Sequence, residues 1–295
     1  MRALITGVNG FSGRCLCGHL WKCNYEVYGI GRQSGGPGEL VNYFQGDLTD
    51  SQFCKDVVRT CAPDIIFHLA MDFDVDDLVC RTTQSFQNIS NAVGQMPRDP
   101  SRKILVVGSA AEVGVPPSVL PVSEDVVCSP TTIYGHAKHK VTNLAMEVTH
   151  TQVIVARTFN LIGPGLPARF SVGNFVKQIQ QVVSGRKQFV ETGPLDTHRD
   201  FIDVRDAVRF YERLASSAPG GVYNVCSGEA KAISDIVTQL FQLAGLCHTV
   251  LRSARIKLPA GVPLICGDNS RLLHATGASL HYTLKRSLSD MLARR

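Results

Sequence analysis

Through the first half of the chain, short apolar runs alternate with stretches of helical spacing. The runs are residues 2–7, 26–31, 41–47, 64–70, 103–110 and 151–160, and helical stretches between them include 13–23, 50–61 and 134–149. Strands that are apolar on both faces and alternate with helices are typical of a parallel sheet covered on both sides. The sequence therefore predicts an α/β fold built on a doubly wound parallel sheet.

The pattern loosens after Leu161, where Gly and Pro become frequent, as in GPGLP at 163–167. A helix near 173–184 and strands at 200–204 and 222–227 are predicted beyond it. We therefore expect two domains: residues 1–160, with a segment near 200–227 that returns to them, and a smaller C-terminal α/β domain, mainly 161–295.

Composition excludes several classes of protein. The net charge of +5 is spread along the chain without a dense Lys/Arg block, which disfavours nucleic acid as a partner. The ten cysteines are scattered, with no C-x-x-C and no paired His spacing, so we expect a reduced, cytoplasmic protein with no metal site. The sequence MRALITG runs directly into an apolar strand, and no apolar stretch reaches about 18 residues, so neither a signal peptide nor a membrane span is expected.

A glycine-rich turn follows the first predicted strand. In TGVNGFSGR, residues 6–14, Gly7, Gly10 and Gly13 stand between a strand ending near Thr6 and a helix beginning near Phe11. The spacing G-x-x-G-x-x-G differs from the Rossmann pattern G-x-G-x-x-G but serves the same purposes: a tight turn, close approach to a pyrophosphate and helix–strand packing. A plain tight turn is the alternative. After the first strand of a βαβ unit, the pattern favours a Rossmann-type dinucleotide site.

The end of the second strand bears on which dinucleotide binds. An NAD-selective site usually has an acid there, but this chain has Arg32 and no acid until Glu39. A guanidinium suits a 2′-phosphate, so NADP(H) is preferred and NAD(H) stays possible; a solvated loop arginine is the alternative. Asp47 and Leu48, after the third strand, are placed to flank the adenine.

These motifs resemble those of the extended short-chain dehydrogenase/reductases, in their NAD-dependent epimerase/dehydratase branch, which modifies nucleotide sugars. The resemblance rests on the glycine pattern, GDLTD at 46–50, FHLA at 67–70 and Y-x-x-x-K at 134–138, and further blocks at 156–165, 197–211 and 222–236 extend it over nearly the whole chain. The P-A-x-V-P-x-x-x-G-D core within 254–277 is most similar to reductases that convert GDP-4-keto-6-deoxy-mannose to GDP-rhamnose.

The resemblance implies a dinucleotide-binding first domain, a nucleotide-sugar-binding second domain and a homodimer. It implies cofactor contacts at Gly7, Asn9, Gly10, Phe11, Gly13, Arg32, Asp47, Leu48, Leu69, Ala70, Tyr134 and Lys138. His68, in FHLA, is expected to shape the cofactor pocket rather than to catalyse.

Tyr134 and Lys138 are the predicted proton relay. Pairs four residues apart on a helix are most often surface neighbours, which is the alternative here. Reducing a sugar ketone requires a proton donor, and free tyrosine, with a pKa of about 10, is too weak an acid at neutral pH by about 4 kcal/mol. A nearby ammonium lowers that pKa, so Lys138 is expected to activate Tyr134 and also to hold the nicotinamide ribose.

Ser109 is the third predicted catalytic residue, and by resemblance it hydrogen-bonds the carbonyl oxygen of the substrate. A helix N-cap is its alternative role. Related 4,6-dehydratases place acids two or three residues after this serine, where this chain has Ala110 and Ala111. Glu112 lies one residue further and is expected to point elsewhere. Dehydration is therefore disfavoured.

Residues that bind the substrate are implied by the resemblance, mainly in the second domain. They are Ser109 and Asn160 for the sugar or its phosphate, Asn174 and Lys177 for the diphosphate, Arg186 and Arg199 for the nucleotide, and Glu229 for a ribose hydroxyl. For Arg199 the alternative is a salt bridge to Asp200 or Asp203, and for Lys177 and Arg186 it is a solvated surface.

Three functions remain open from the sequence. The favoured one is an NAD(P)H-dependent reductase of a nucleotide-linked 4-keto-6-deoxy sugar. The second is an NDP-sugar 4-epimerase that retains NAD. The third is a non-enzymatic dinucleotide-binding regulator, a class that commonly loses the Tyr or Lys that this chain keeps.

Overall fold

The computed structural model describes residues 1–38, 42–71, 76–115, 120–247, 251–253 and 262–293. Glu39 and residues 254–261 of the P-A-x-V-P block lie outside the described residues. Thirteen strands are described: β1 (Arg2–Thr6), β2 (Glu26–Gly31), β3 (Tyr43–Gln45), β4 (Ile65–His68), β5 (Lys103–Ser109), β6 (Gln152–Thr158), β7 (Asn160–Ile162), β8 (Val190–Thr192), β9 (His198–Asp203), β10 (Gly221–Val225), β11 (Ala230–Ala232), β12 (Leu251–Ser253) and β13 (Leu264–Ile265).

Nine α-helices are described: α1 (Phe11–Lys22), α2 (Ser51–Cys61), α3 (Leu78–Gly94), α4 (Ile133–Met146), α5 (Ser171–Val183), α6 (Val204–Ser217), α7 (Ile233–Ala244), α8 (Ser270–Thr276) and α9 (Leu284–Ala293). Several begin at a polar side chain that accepts from the first turn. Asp50 accepts from Gln52 N at α2 and Thr132 from Gly135 N at α4. Such caps fix where the chain leaves a loop and enters a helix.

Seven strands form a wholly parallel sheet in the order β3-β2-β1-β4-β5-β6-β10. Both faces are covered, as alternate residues of β1 illustrate: Ala3 and Ile5 pack with α1 and α6, whereas Leu4 packs with α2, α3 and α4. The α/β, Rossmann-type doubly wound fold predicted from the sequence is confirmed.

The remaining strands form a smaller α/β part beside this sheet. Strand β9 pairs in parallel with β7 and β13 and antiparallel with β11, while β12 pairs with β8. Helices α5, α7 and α9 share a core that includes Ile179, Leu240 and Leu288. Strand β10 then returns to the large sheet beside β6.

The predicted strand at 151–160 is in fact two strands in different sheets. Strand β6 ends at Thr158, and Phe159 N donates to Val225 O at 3.0 Å before β7 pairs with β9. The chain thus crosses from the large sheet to the smaller part at Phe159, which an apolar run cannot reveal because both strands are apolar.

Two expectations from composition can be compared with the structure. None of the ten cysteines, all of which lie in the described part of the chain, is paired in a disulfide. Within the described part of the chain, no helix has both the length and the apolar character that crossing a bilayer would require.

Candidate active site

A cavity of about 940 Å³ opens at the carboxyl ends of the parallel strands. It runs from the turn after β1, past the ends of β2, β4 and β5, to Arg199 on β9. The strand order reverses between β1 and β4, which is where open α/β sheets bind their ligands.

The glycine turn forms one wall of this cavity. Gly7 has a φ of +69°, and a Cβ there would lie 2.9 Å from Ala70 Cα, so the turn and the loop after β4 require glycine. Gly10 caps α1 without a side-chain hydrogen bond, which leaves the start of the helix suited to an anion. Gly7, Asn9, Gly10 and Phe11 line the cavity.

Gly13 does not line the cavity and has a packing role. A Cβ on Gly13 would come 2.3 Å from Gly7 O and 2.8 Å from Val8 Cα. Helix α1 can therefore lie this close to the turn only with glycine at position 13. This is the helix–strand packing that the glycine spacing indicates, although Gly13 itself is not positioned to contact a cofactor.

The cavity wall also includes the three residues predicted to lie near the adenosine end of the cofactor, Arg32, Asp47 and Leu48. Arg81, which the sequence analysis missed, lines the same region and donates from Nη2 to Asp47 Oδ2 at 2.7 Å. The other Asp47 oxygen accepts from Thr49 N and Oγ1, both at 2.9 Å. Asp47 is thus fixed in orientation at the cavity edge.

The loop after β4 is fixed by buried polar groups behind the cavity. Leu69 and Ala70 line the cavity, and Ala70 N donates to Thr6 Oγ1 at 3.1 Å. The same Thr6 oxygen lies 3.1 Å from His68 Nδ1. Burial lowers the pKa of His68 to about 3, so the imidazole is neutral. His68 shapes the wall and does not reach the cavity.

The predicted catalytic residues converge at the centre of the cavity. Ser109 is the last residue of β5, and its hydroxyl is hydrogen-bonded to that of Tyr134 in the first turn of α4. Lys138, one turn further along α4, is buried and donates from Nζ to Val107 O at 2.7 Å. Ser109 Oγ also accepts from Ala111 N at 3.2 Å, so Ser109 is both an N-cap and a neighbour of Tyr134.

Burial is the main influence on the pKa of both Tyr134 and Lys138. Burial raises the pKa of Tyr134 above its usual value; the hydrogen bond from Ser109 opposes this, and the charge of Glu112 adds to it. Burial lowers the pKa of Lys138 to about 8, against the opposing influence of Glu112. The Lys138 ammonium donates to the carbonyl of Val107, and activation of Tyr134 by Lys138 stays a prediction.

Glu112 is completely buried and turned away from the cavity. Oε1 accepts from Ser109 N at 2.6 Å, Oε2 accepts from Thr142 Oγ1 at 2.9 Å, and Arg157 Nε lies 3.6 Å from Oε2. Ala110 and Ala111 line the cavity instead. The acid nearest to Ser109 in sequence is therefore held in a structural network, as the sequence analysis expected.

On the substrate side, Asn160 and Arg199 line the cavity. Asn160 donates to Asp200 O at 3.0 Å, and Arg199 donates to His198 O at 2.8 Å. The Asp200 carboxylate accepts from Ser227 and Gly228, and the Asp203 carboxylate binds Arg205. The two carboxylates considered as alternative salt-bridge partners of Arg199 thus bind other donors.

The other four predicted substrate residues lie outside the cavity lining. Asn174 and Lys177 are exposed on α5, because that helix turns Val172, Phe175 and Ile179 into the core. Exposed Arg186 donates to Ser184 Oγ, and Glu229 pairs with Lys231 at 2.9 Å. The structure does not bring these four together with Ser109 and Tyr134.

Arg169 also lines the cavity, and it was not among the residues predicted from the sequence. It lies in the loop that leads from GPGLP into α5. Position alone could have indicated it, because a loop between a strand end and a helix start borders the same edge of the sheet as the catalytic residues.

Comparisons with known proteins were made on the full chain. Residues 3–226 match the NAD dependent epimerase/dehydratase family. A GDP-6-deoxy-D-mannose reductase of Pseudomonas aeruginosa is 29% identical, over 99% of this chain and 96% of the relative. A GDP-6-deoxy-D-talose 4-dehydrogenase of Aggregatibacter actinomycetemcomitans is 27% identical, over 98% and 96%. The structure of RMD from P. aeruginosa complexed with NADPH superposes with a TM-score of 0.86, at 27% identity, over 99% of this chain and 97% of that one.

Proposed function

The chain belongs to the NAD dependent epimerase/dehydratase family, and from this premise we propose that it reduces the 4-keto group of a nucleotide-linked 4-keto-6-deoxy sugar with NADPH. The enzyme is an oxidoreductase, and we propose that it acts on nucleotide sugars, as its relatives do. GDP-4-keto-6-deoxy-mannose, converted to GDP-rhamnose, is the proposed substrate. One observation carries the proposal: the side chains of Ser109 and Tyr134 meet in the cavity, and the two residues that follow Ser109 are alanines.

The chemistry needs one hydride and one proton. When bound, the reduced nicotinamide supplies the hydride to C4 of the sugar. Ser109 Oγ hydrogen-bonds the carbonyl oxygen, and Tyr134 Oη gives its proton to that oxygen, so the product is an alcohol and Tyr134 is left as a phenolate. The ammonium of Lys138, one helical turn away, stabilises this phenolate and holds the ribose of the cofactor. Solvent then returns the proton to Tyr134.

The alanines distinguish reduction from dehydration. Expelling the C6 hydroxyl requires a base at C5 and an acid at C6, and a methyl group can be neither. Glu112 is turned into the protein, where Ser109 N, Thr142 and Arg157 bind it.

Two arginines at the cavity wall, Arg169 and Arg199, suit the diphosphate of a nucleotide sugar because their planar forks match phosphate oxygens.

An assay with a 4-keto sugar nucleotide tests the proposal. Supplied with GDP-4-keto-6-deoxy-mannose and NADPH, the enzyme should oxidise the cofactor, which is followed by the loss of absorbance of the reduced nicotinamide. If no 4-keto sugar nucleotide leads to oxidation of NADPH, the reductase proposal is contradicted. Interconversion of C4 epimers without added cofactor supports the 4-epimerase, and cofactor binding without turnover supports the regulator.

Arg32 is proposed to select NADPH through its 2′-phosphate. Replacing Arg32 by Ala should lower kcat/KM for NADPH by about tenfold or more, because a charge-assisted hydrogen bond contributes about 1.5–3 kcal/mol, and should change the value for NADH little. Initial rates with both cofactors measure this. Arg98→Ala, at an exposed position outside the cavity lining, is the matched control. Equal losses with both cofactors would contradict the assignment.

Location and assembly belong to the same proposal. The free thiols suit a reducing compartment such as the cytoplasm. A homodimer through α4 and its neighbouring helix stays a prediction, which a measurement of mass in solution tests.

A further inference from the structure

We infer that His19, Cys23 and Glu212 form a zinc-type metal site that joins α1 to α6, away from the cavity. This site is not predictable from the sequence, because its ligands follow no C-x-x-C or paired-His spacing. Glu212 lies far along the chain from the other two, and only the packing of α1 against α6 brings it near.

The geometry already approaches that of a bound metal. His19 lies in the last turns of α1 and Cys23 directly follows the helix, four residues later, so both face the same side. His19 Nε2 and Cys23 Sγ are 3.7 Å apart. In a tetrahedral zinc site, bonds of about 2.0 and 2.3 Å place a nitrogen and a sulfur about 3.5 Å apart. One Glu212 oxygen completes a set whose atoms all lie within 4.8 Å of one another.

Glu212 is held in place by neighbours that are not ligands. Its Oε1 accepts from Ser216 Oγ at 2.9 Å and from Tyr25 Oη at 3.2 Å. Its side chain is only 14% exposed. Outer hydrogen bonds of this kind orient a carboxylate ligand and reduce the cost of ordering it when a metal binds.

The mixture of donors identifies the class of ion. An imidazole nitrogen, a thiolate and a carboxylate together suit zinc, or a similar borderline metal, whereas calcium and magnesium prefer oxygen ligands. Three protein ligands leave a fourth position for water. Because these residues lie outside the cavity, the ion would hold α1 against α6 and would take no part in the reduction.

Nearby cations limit the affinity. Lys22, Arg209 and Arg213 all act on His19 electrostatically. Arg213 Nε lies 3.8 Å from Glu212 Oε2, but its side chain is 60% exposed and can turn into solvent. We therefore expect Arg213→Gln to strengthen metal binding.

Cobalt(II) is the probe that tests the site, since a cobalt–thiolate bond produces a charge-transfer absorption. The chelator-treated full-length protein should bind one Co²⁺ with this absorption, and Zn²⁺ should displace it. Cys23→Ser should remove the absorption, while His19→Gln and Glu212→Gln should each weaken binding by about tenfold or more. Cys80→Ser, which removes an exposed thiol on α3, is the matched control and should bind as the parent does.

Thermal unfolding separates metal binding from a loss of folding in the variants. Zn²⁺ should raise the Tm of the parent and of Cys80→Ser, because a ligand that binds the folded state stabilises it, and should leave that of Cys23→Ser unchanged. Absorption that survives in Cys23→Ser, or that is unaffected in both His19→Gln and Glu212→Gln, would overturn the inference. The reductase proposal does not depend on this result.

Discussion

Replacing Tyr134 by Phe will remove ketone reduction almost completely while leaving dinucleotide binding nearly intact. The change deletes one oxygen, the one bonded to Ser109 in the cavity, and with it the proposed proton donor. General acid catalysis contributes about 10²–10⁴-fold, so we expect kcat to fall by about 10³-fold. The aromatic ring remains, and the bond between Lys138 and Val107 is untouched, so the Kd for NADPH should change by less than about threefold.

Steady-state kinetics give kcat, and fluorescence titration of NADPH gives the Kd. Tyr28→Phe is the matched control, because Tyr28 lies on β2, where its hydroxyl donates to Glu26 outside the cavity lining. This control should keep the parent's kcat. Full activity in Tyr134→Phe would mean that the proton comes from another group.

The second large effect concerns stability and involves Glu112. Glu112→Ala should lower the free energy of unfolding by about 3–5 kcal/mol, since it leaves the buried charge of Arg157 without its partner. Arg157 still donates to Glu124 O at 3.2 Å, and its side chain is 4% exposed. Ser109 N and Thr142 Oγ1 lose an acceptor at the same time.

Urea unfolding followed by circular dichroism measures this change. Glu112→Gln keeps an acceptor for Ser109 N, although it removes the charge and puts an amide NH2 in place of one carboxylate oxygen, so it should cost less than the alanine variant. Glu147→Ala, at the exposed end of α4, is the matched control and should stay within about 0.5 kcal/mol of the parent. A loss in Glu112→Ala no larger than that of Glu147→Ala would show that the network does not stabilise the fold.

The sequence predicted best what depends on short spacings. The glycine turn, the strand predicted at 103–110 and the pair Tyr134–Lys138 are each local, so the structure has them within a residue of the predicted positions. The expected activation of Tyr134 by Lys138 stays a prediction, because it depends on where Nζ points. That direction is set by Val107, on a strand distant in sequence.

Four of the predicted substrate residues lie outside the cavity lining, and α5 illustrates the physical reason. Its buried positions, Val172, Phe175, Val176 and Ile179, follow the spacing of an amphipathic helix, so Asn174 and Lys177 must face solvent. Their contact with a substrate therefore stays a prediction. Arg81 could not be chosen among many arginines from the sequence, because only the fold places it at the cavity.

The return of β10 to the large sheet has a consequence for synthesis of the protein. Helix α6 and β10 supply one face and one edge of that sheet, yet they follow the strands of the smaller part that include β7, β8 and β9. A nascent chain that ends at residue 160 would leave the edge of β6 open and the apolar residues beneath α6 in water, a state prone to self-association. The large sheet can therefore be completed only after Val225, at the end of β10, has left the ribosome.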